Sequence, residues 1–455
     1  MLDRDKNIGG QKLVILGAGE SGVGAAILAQ QKGYDVFVSD YGVIPDEVKQ
    51  QMDELRISYE EKQHSEQLIL ESQLVIKSPG IPQNAPIVKK IREAGIPVLS
   101  EIEFAARYTD ARLIGITGSN GKSTTATLTW FILNRAGLNV GLAGNIGKSF
   151  ALQVAREKHD YYVLEISSFM LDDFKKMKLD IAVLLNITPD HLDRYDYRME
   201  NYAASKFRIS ENQDKDSVFI YNQDDEEIQK GLEQYRTPAI HYPFTQKKKL
   251  SEGAYLDMDG TMIINVLNQD IFDMSINELA LQGKHNVYNN MASGIVAKVL
   301  ELRNESIRES MGEYQNIPHR LEHVSQIGGV NFINDSKATN VNSVWYALES
   351  MPGDVVLMMG GVDKGNDYHI LKDLVRNKVT AIICIGKDNQ RIHEAFADDT
   401  EIIVNTENMQ DAVTMAFHLA KKGDTVLLSP ACASFDLFKN YEDRGDQFKK
   451  AVRDL

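Results

Sequence analysis

An α/β fold in three domains is predicted by three observations. Short apolar runs alternate with helical stretches along the whole chain, a Gly-rich loop follows the first such run, and a second Gly-rich loop carrying Lys-Ser follows another near residue 115. Alternation of this kind calls for parallel strands joined by crossover helices. At 455 residues the chain is also too long for one ordinary core. We place the domains at 1–100, 101–317 and 318–455.

In the first segment Lys12–Leu16 reads as a buried strand, followed by a Gly-rich turn and an Ala-rich helix. Asp35–Ser39 and Leu74–Lys77 read as further strands. The second segment opens with a strand at 113–117, then a loop and a helix beginning near Lys122. Strand runs recur at 161–164 and 181–185, and residues 257–260 turn a hairpin. In the third segment the runs 354–358, 380–385 and Thr425–Leu428 alternate with helices. These patterns give the outer domains a Rossmann-like build and the central one the parallel sheet of a P-loop ATPase.

Composition narrows the function classes. With 43% hydrophobic and 25% charged residues the chain reads as a soluble globular protein. Its first residues carry acids and no apolar core, unlike a signal peptide, and no run approaches the roughly 20 apolar residues of a membrane span. A cytoplasmic protein without membrane attachment is expected. Two cysteines, Cys384 and Cys432, make no disulfide framework and are expected to be reduced. A net charge of −15 argues against a nucleic-acid partner. It also means that any bound phosphate must be held by loop amides, helix N-termini, metal ions and a few placed cations. No association helix or apolar stripe stands out, so a monomer is expected.

The two Gly-rich loops carry different weight. Gly17, Gly19 and Gly22 lie between a strand and a helix, with Asp40 ending the next strand. That context suits a dinucleotide or a nucleotide sugar, and equally a turn that needs glycine for packing alone. The loop Thr117, Gly118, Ser119, Asn120, Gly121, Lys122, Ser123, Thr124 is more specific. Its amides can cradle phosphates, Lys122 can reach the β and γ oxygens, and the Ser123 hydroxyl can bind Mg²⁺. It departs from the usual P-loop spacing, since Ile116 stands where the first glycine would. About forty residues on, Glu165 ends a strand where a carboxylate could hold Mg²⁺. After the next strand, Asp190, His191 and Asp193 concentrate ligand types in one loop.

Thr-Gly-Ser-Asn-Gly-Lys, Glu-Ile-Ser-Ser-Phe and Asn-Ile-Thr-Pro-Asp-His-Leu-Asp, in that order, resemble the central domain of the Mur ligases. The resemblance continues through Gly283 to Asn289, Pro318-His319-Arg320, Asn334 to Asn340 and Gly360 to Gly365. It implies a three-domain enzyme that activates a carboxylate with ATP and joins it to an amine. The tract Ser429 to Asp436, with Phe438 to Tyr441 and Arg444-Gly445, is similar to the branch that adds D-glutamate to UDP-N-acetylmuramoyl-L-alanine. The first Gly-rich loop then reads as a uridine-diphosphate site.

Residue roles follow from the resemblance. ATP would be met by Gly118, Ser119, Asn120, Gly121, Lys122, Ser123 and Thr124, with Asn286 and Asn289 at adenine, Arg320 at phosphate and Asp335 at ribose. Two Mg²⁺ ions would be held by Ser123, Glu165, His191 and Lys206, the last as a CO2-derived carbamate. A free lysine has about one amine in 2,500 neutral at pH 7, roughly 4–5 kcal/mol uphill, so the site must depress that pKa or the metal must stabilise the product. Glu20, Ser21, Asp40, Ser78, Gly80 and Asn145 would meet the UDP substrate. Lys337 and Lys364 would serve catalysis, with Lys364, Thr339, Ser434, Phe435 and Tyr441 at the amino acid. Tyr441 stands where the family often has Phe. Competing readings are an L-alanine-adding relative, a nucleotide-binding regulator without catalysis, and an NAD-dependent oxidoreductase supported by the first loop and Asp40 alone.

Overall fold

The computed structural model describes residues 10–266, 269–314, 318–363 and 365–455. It contains two compact units, Met1–Ala280 with Asn286–Tyr314, and Leu281–His285 with Gln315–Leu455.

The first unit holds two sheets. The N-terminal sheet comprises β1 (Lys12–Leu16), β2 (Asp35–Ser39), β3 (Ser58–Glu60), β4 (Leu74–Lys77) and β5 (Val98–Ser100), all parallel, in the order β3-β2-β1-β4-β5. The central sheet has nine strands. They are β6 (Arg112–Thr117), β7 (Val140–Gly144), β8 (Tyr161–Glu165), β9 (Ile181–Leu184), β10 (Val218–Asn222), β11 (Ile240–Thr245), β12 (Gly253–Leu256), β13 (Thr261–Asn265) and β14 (Phe272–Ser275). Their order is β14-β13-β12-β11-β10-β9-β6-β8-β7. Strands β6 to β12 pair in parallel, whereas β12, β13 and β14 form an antiparallel edge, with the expected hairpin turned by residues 257–260. β4 and β9 are buried at every position, because helices cover both faces of a parallel sheet.

One apolar core runs through both sheets. Ala25, Ala26 and Leu28 of the helix Glu20–Gln31 join Phe104, Phe150 and Tyr162 in a single cluster that extends to Phe207 and Phe219. Polar groups cross the same junction. Glu101, buried at the start of the helix Glu101–Ala105, accepts from Ser149 Oγ and from the Ala151 amide, each at 2.6 Å. The carboxylate thereby caps the helix Phe150–Arg156, while Glu20 Oε1 accepts the Ser149 amide at 3.1 Å.

The second unit contains β15 (Glu322–Ile327), β16 (Val330–Asn334), β17 (Val355–Met359), β18 (Val379–Ile385), β19 (Ile403–Thr406) and β20 (Thr425–Leu428), in the order β15-β16-β20-β17-β18-β19. All pairings are parallel except the β15–β16 hairpin, an addition to the alternation read from the sequence. Cys384 lies in β18 and is buried, as is Cys432, and both are free thiols.

Burial lifts the Glu101 carboxyl from 4.5 to about 7, with Glu20 adding like-charge repulsion. A raised folded-state pKa means that its stabilising contribution is complete below pH 4.5 and lost as pH rises through about 7. Glu101→Gln is therefore expected to remove that part of the pH dependence. Thermal melts of both proteins from pH 4 to 8 check it: the difference between them should change across this window and level off above it.

Candidate active site

The phosphate loop is braced before any ligand is considered. β6 ends at Thr117, and Gly121, at φ +83°, turns the chain into the helix Lys122–Arg135. A Cβ at Gly121 would lie 2.6 Å from Asn289 Oδ1, so glycine answers both a backbone and a packing demand. Lys122 Nζ donates to the carbonyls of Gly118 (2.8 Å) and Ser119 (2.7 Å), which tightens the loop around its own cation. The segment following β9 holds the other side. Asn186 Oδ1 accepts the Asn120 amide at 2.8 Å, Asn186 Nδ2 donates to the Asn120 carbonyl at 3.0 Å, and the Thr188 amide donates to Ser119 Oγ at 2.9 Å. From the sequence, Asn186 and Thr188 read as members of a ligand-rich loop. Their bracing of the phosphate loop comes from tertiary structure, and in sequence only their amide and hydroxyl types point to it.

Asn286 and Asn289 lie on the helix Lys284–Val299 and are buried beside that loop. Asn289 Oδ1 accepts from Thr125 Oγ1 at 3.1 Å, and Asn289 Nδ2 donates to Asn286 Oδ1 at 3.0 Å. Ser123 and Thr124 occupy the first turn of the loop's helix, where backbone amides and the helix dipole favour anions.

Glu165, at the end of β8, is 1% exposed. Its Oε1 accepts Asn145 Nδ2 at 2.9 Å, while Oε2 is buried with no hydrogen-bond partner. An ionisable oxygen left buried and unsatisfied is costly unless a ligand completes it, and a hard oxygen of this kind suits Mg²⁺. Among the described residues no three His, Cys, Asp or Glu side chains form a ready metal cage. His191 sits at φ +52° with its ring 5.1 Å from that of Phe169 and its Nε2 3.6 Å from Asp190 Oδ1.

Lys206, on the helix Met199–Phe207, is 1% exposed, with Nζ 4.6 Å from the Tyr202 ring centroid. Burial drives its pKa well below the ordinary lysine value, and the Lys122 charge adds to this, while Asp190 and Asp172 act in the opposite direction. Burial and the Lys122 charge both favour the neutral amine, the form able to react as a nucleophile. Tyr202 OH lies 3.1 Å from Ser119 Oγ, which ties this helix to the phosphate loop.

At the N-terminal sheet, Asp40 accepts the Ala18 amide (2.6 Å) and the Gly42 amide (2.7 Å), holding the first Gly-rich loop against β2. Ala18, Gly19, Glu20, Asp40, Val43 and Ile44 are among the residues lining a cleft of ≈ 530 Å³ there. Ser21 lies in the first turn of the adjoining helix. The Ser78 amide donates to the Leu16 carbonyl at 2.9 Å, and the Gly80 carbonyl accepts from Arg194 at 3.0 Å.

In the second unit, Arg320 lies 3.9 Å from the buried Asp335. Asp335 also accepts from Ser429 Oγ at 2.9 Å and the Leu321 amide at 3.2 Å, and burial pushes its carboxyl up to about 6. Lys337 Nζ stands 5.5 Å from the Tyr441 ring centroid, and its carbonyl accepts the Thr339 amide. Ser434 is buried and Phe435 is 74% exposed. Lys364 lies outside the described residues.

Comparison with known proteins gives a consistent picture. A family model for the Mur ligase middle domain matches residues 116–297, one for the Mur ligase glutamate ligase domain matches 319–432, and one for the MurD-like N-terminal domain matches 11–100. UDP-N-acetylmuramoylalanine–D-glutamate ligases are similar over nearly the whole length. That of Christiangramia forsetii is 53% identical over 98% of this chain and 100% of its own. The same enzyme of Bacteroides fragilis is likewise 53% identical over 98% and 100%, and that of Salinibacter ruber 40% over 98% of each chain. Among solved structures, a pseudomurein peptide ligase type C from Methanothermus fervidus aligns with a TM-score of 0.62 at 19% identity, covering 98% and 99% of the two chains. The UDP-N-acetylmuramate-alanine ligase of Thermotoga maritima gives 0.62 at 16% identity over 97% and 99%. At those identities the structures speak for the fold.

Gly121→Ala places a Cβ where the backbone is left-handed and Asn289 stands. It is expected to destabilise the first unit by about 1–3 kcal/mol and to weaken ATP binding, as read by thermal unfolding and nucleotide titration.

Proposed function

This chain belongs to the Mur ligase family, and from that premise we propose that it joins D-glutamate to UDP-N-acetylmuramoyl-L-alanine in peptidoglycan synthesis. It is an ATP-dependent amide-bond ligase. The observation that carries this reading is a likeness spanning all three domains, the glutamate ligase domain included, at 53% identity to ligases of that name. The NAD-dependent reading, which rested on the first loop and Asp40, accounts for none of the central or C-terminal matches. Among the described residues no helix is long and apolar enough to cross a membrane. We assign residues 1–100 to the UDP substrate, 101–317 to ATP and 318–455 to the amino acid, in a monomer acting in the cytoplasm.

In the reaction, an oxygen of the L-alanyl carboxylate attacks the γ-phosphorus of ATP, and ADP leaves. The amine of D-glutamate then attacks the acyl carbon, phosphate leaves, and the amine gives up a proton. Both steps bring anions together, so the protein must supply positive charge where charge builds up. Lys122 and the loop amides bind the ATP phosphates. Ser123, Glu165, His191 and carbamylated Lys206 would hold two Mg²⁺ ions, which when bound supply cationic screening of the transferring phosphoryl group. The buried Oε2 of Glu165 supports the first of these assignments. The depressed pKa of Lys206 supports carbamylation: the neutral amine adds to CO2, a proton leaves, and the side chain ends in an anionic carbamate with oxygen donors. Asn286 and Asn289 are assigned to adenine, Arg320 to phosphate and Asp335 to ribose. Glu20, Ser21, Asp40, Ser78, Gly80 and Asn145 are assigned to the UDP substrate. Lys337, Thr339, Lys364, Ser434, Phe435 and Tyr441 are assigned to D-glutamate, whose two carboxylates suit cationic and hydroxyl donors.

Phosphate release from ATP, with Mg²⁺, bicarbonate and UDP-N-acetylmuramoyl-L-alanine, tests the proposal. Turnover is expected with D-glutamate and not with L-glutamate, L-alanine or D-alanine, and Lys122→Ala should lower it by at least about 100-fold. Turnover with another amino acid would keep the ligase and overturn the amino-acid assignment. Absence of turnover with folded protein would favour a non-catalytic nucleotide-binding role.

A further inference from the structure

The turn formed by residues 78–81 carries Ser78 and Gly80, two of the residues assigned to the UDP substrate. Its own hydrogen bond runs from the Ile81 amide to the Ser78 carbonyl at 3.1 Å. The side chain of Lys77, last residue of β4, folds beneath it and is 1% exposed. Lys77 Nζ donates to the Ser78 carbonyl at 3.3 Å and to the Ile81 carbonyl at 3.0 Å, gripping the turn at both ends. Asp173, also 1% exposed, supplies its counter-charge, with Oδ2 at 3.0 Å from Lys77 Nζ.

Asp173 comes from the central domain, just beyond the short helix Ser168–Leu171 that follows Glu165 and Ser167. Gln83 Nε2 donates to Asp173 Oδ1 at 3.0 Å, and Arg92 lies 3.3 Å from the same oxygen. Three N-terminal side chains therefore converge on one central-domain carboxylate. A second tie reaches the same turn from the His191 loop, where Arg194 donates to the Gly80 carbonyl at 3.0 Å while lying 4.5 Å from the Phe169 ring centroid. A buried ion pair is a weak source of net stability, since desolvation offsets the attraction, but it fixes geometry strongly.

We propose that Lys77, locked by Asp173, is a positioning residue that sets the 78–81 turn in register with the Glu165 and His191 segments and so determines affinity for the UDP substrate. The proposal rests on the functional reading above. Lys77 touches neither substrate nor metal. It acts through the two turn carbonyls, and Asp173 holds its ammonium in place beneath them.

Replacing Asp173 alone would strip the buried Lys77 of its counter-charge, and replacing Lys77 alone would leave Asp173 to Arg92, so the informative protein is the double variant Lys77→Met with Asp173→Asn. It keeps the junction neutral and filled but removes the donor from the turn. Binding of UDP-N-acetylmuramoyl-L-alanine by calorimetry should weaken by about 10-fold, the scale of one or two hydrogen bonds. KM for that substrate should rise in parallel, with KM for ATP and D-glutamate and the saturated kcat changed by less than about threefold. Unchanged UDP-substrate affinity would overturn the proposal, as would parallel loss of all parameters with a lowered Tm. Failure of the wild-type protein to bind this substrate would instead overturn the functional reading, and this proposal with it.

Discussion

Taking an ammonium ion out of water costs several kcal/mol even after the surroundings relax. Lys206 imposes that constraint at the centre of the first unit. The positive charge that acts on it is that of Lys122, the residue proposed to meet phosphate, which adds to the effect of burial. The fold treats the two lysines unequally. Lys122 is partly exposed and surrounded by loop carbonyls, whereas Lys206 is enclosed against Tyr202 with only the indirect pull of Asp190 and Asp172. Burial therefore weighs against the charged form at Lys206, while the Lys122 ammonium has carbonyl oxygens to donate to. Ser119 and Tyr202 link the two sites, so the geometry that shapes the phosphate loop also shapes the lysine's enclosure.

The central sheet gives this arrangement its order. Four of the candidate segments begin where a parallel strand ends: the phosphate loop after β6, Asn145 after β7, Glu165 at the end of β8, and Asn186 and His191 after β9. Parallel strands put all these ends on one edge, the place where α/β sheets bind ligands. The second unit uses the same device. Asp335 and Lys337 follow β16, and Ser434 follows β20, its neighbour in the sheet.

Much of this was legible in the residues. β1, β2, β4 and β20 coincide with apolar runs because strands covered on both faces must be apolar throughout. The phosphate loop was legible because glycine, lysine and a hydroxyl residue occur together between a strand and a helix. β15 was not, since Glu322, His323, Ser325 and Gln326 leave this edge strand with only two apolar residues to signal it. β11 was masked by Pro243, and β3 is three residues long. In the site, what stayed hidden was support. Asp40 reads as part of a nucleotide site in sequence, and the structure adds that its oxygens hold the Ala18 and Gly42 amides. Lys77 gives no signal at all at the end of an apolar strand, because its partner Asp173 is far along the chain and only tertiary structure brings them together.

The core common to the N-terminal and central sheets bears on how the chain emerges from the ribosome. Ala25, Ala26 and Leu28 are complete before Phe150 and Ala151 have been made, yet all belong to one apolar cluster. The Glu101 carboxylate likewise waits for the Ser149 hydroxyl and the Ala151 amide that it will cap. During synthesis the N-terminal sheet can form its parallel ladder, but its helix face stays wet until the following segment arrives. Nascent chains of this length expose a greasy surface for several seconds at ordinary elongation rates of about 5–20 residues per second. The first hundred residues are thus an apprentice domain, dependent for burial on sequence not yet translated.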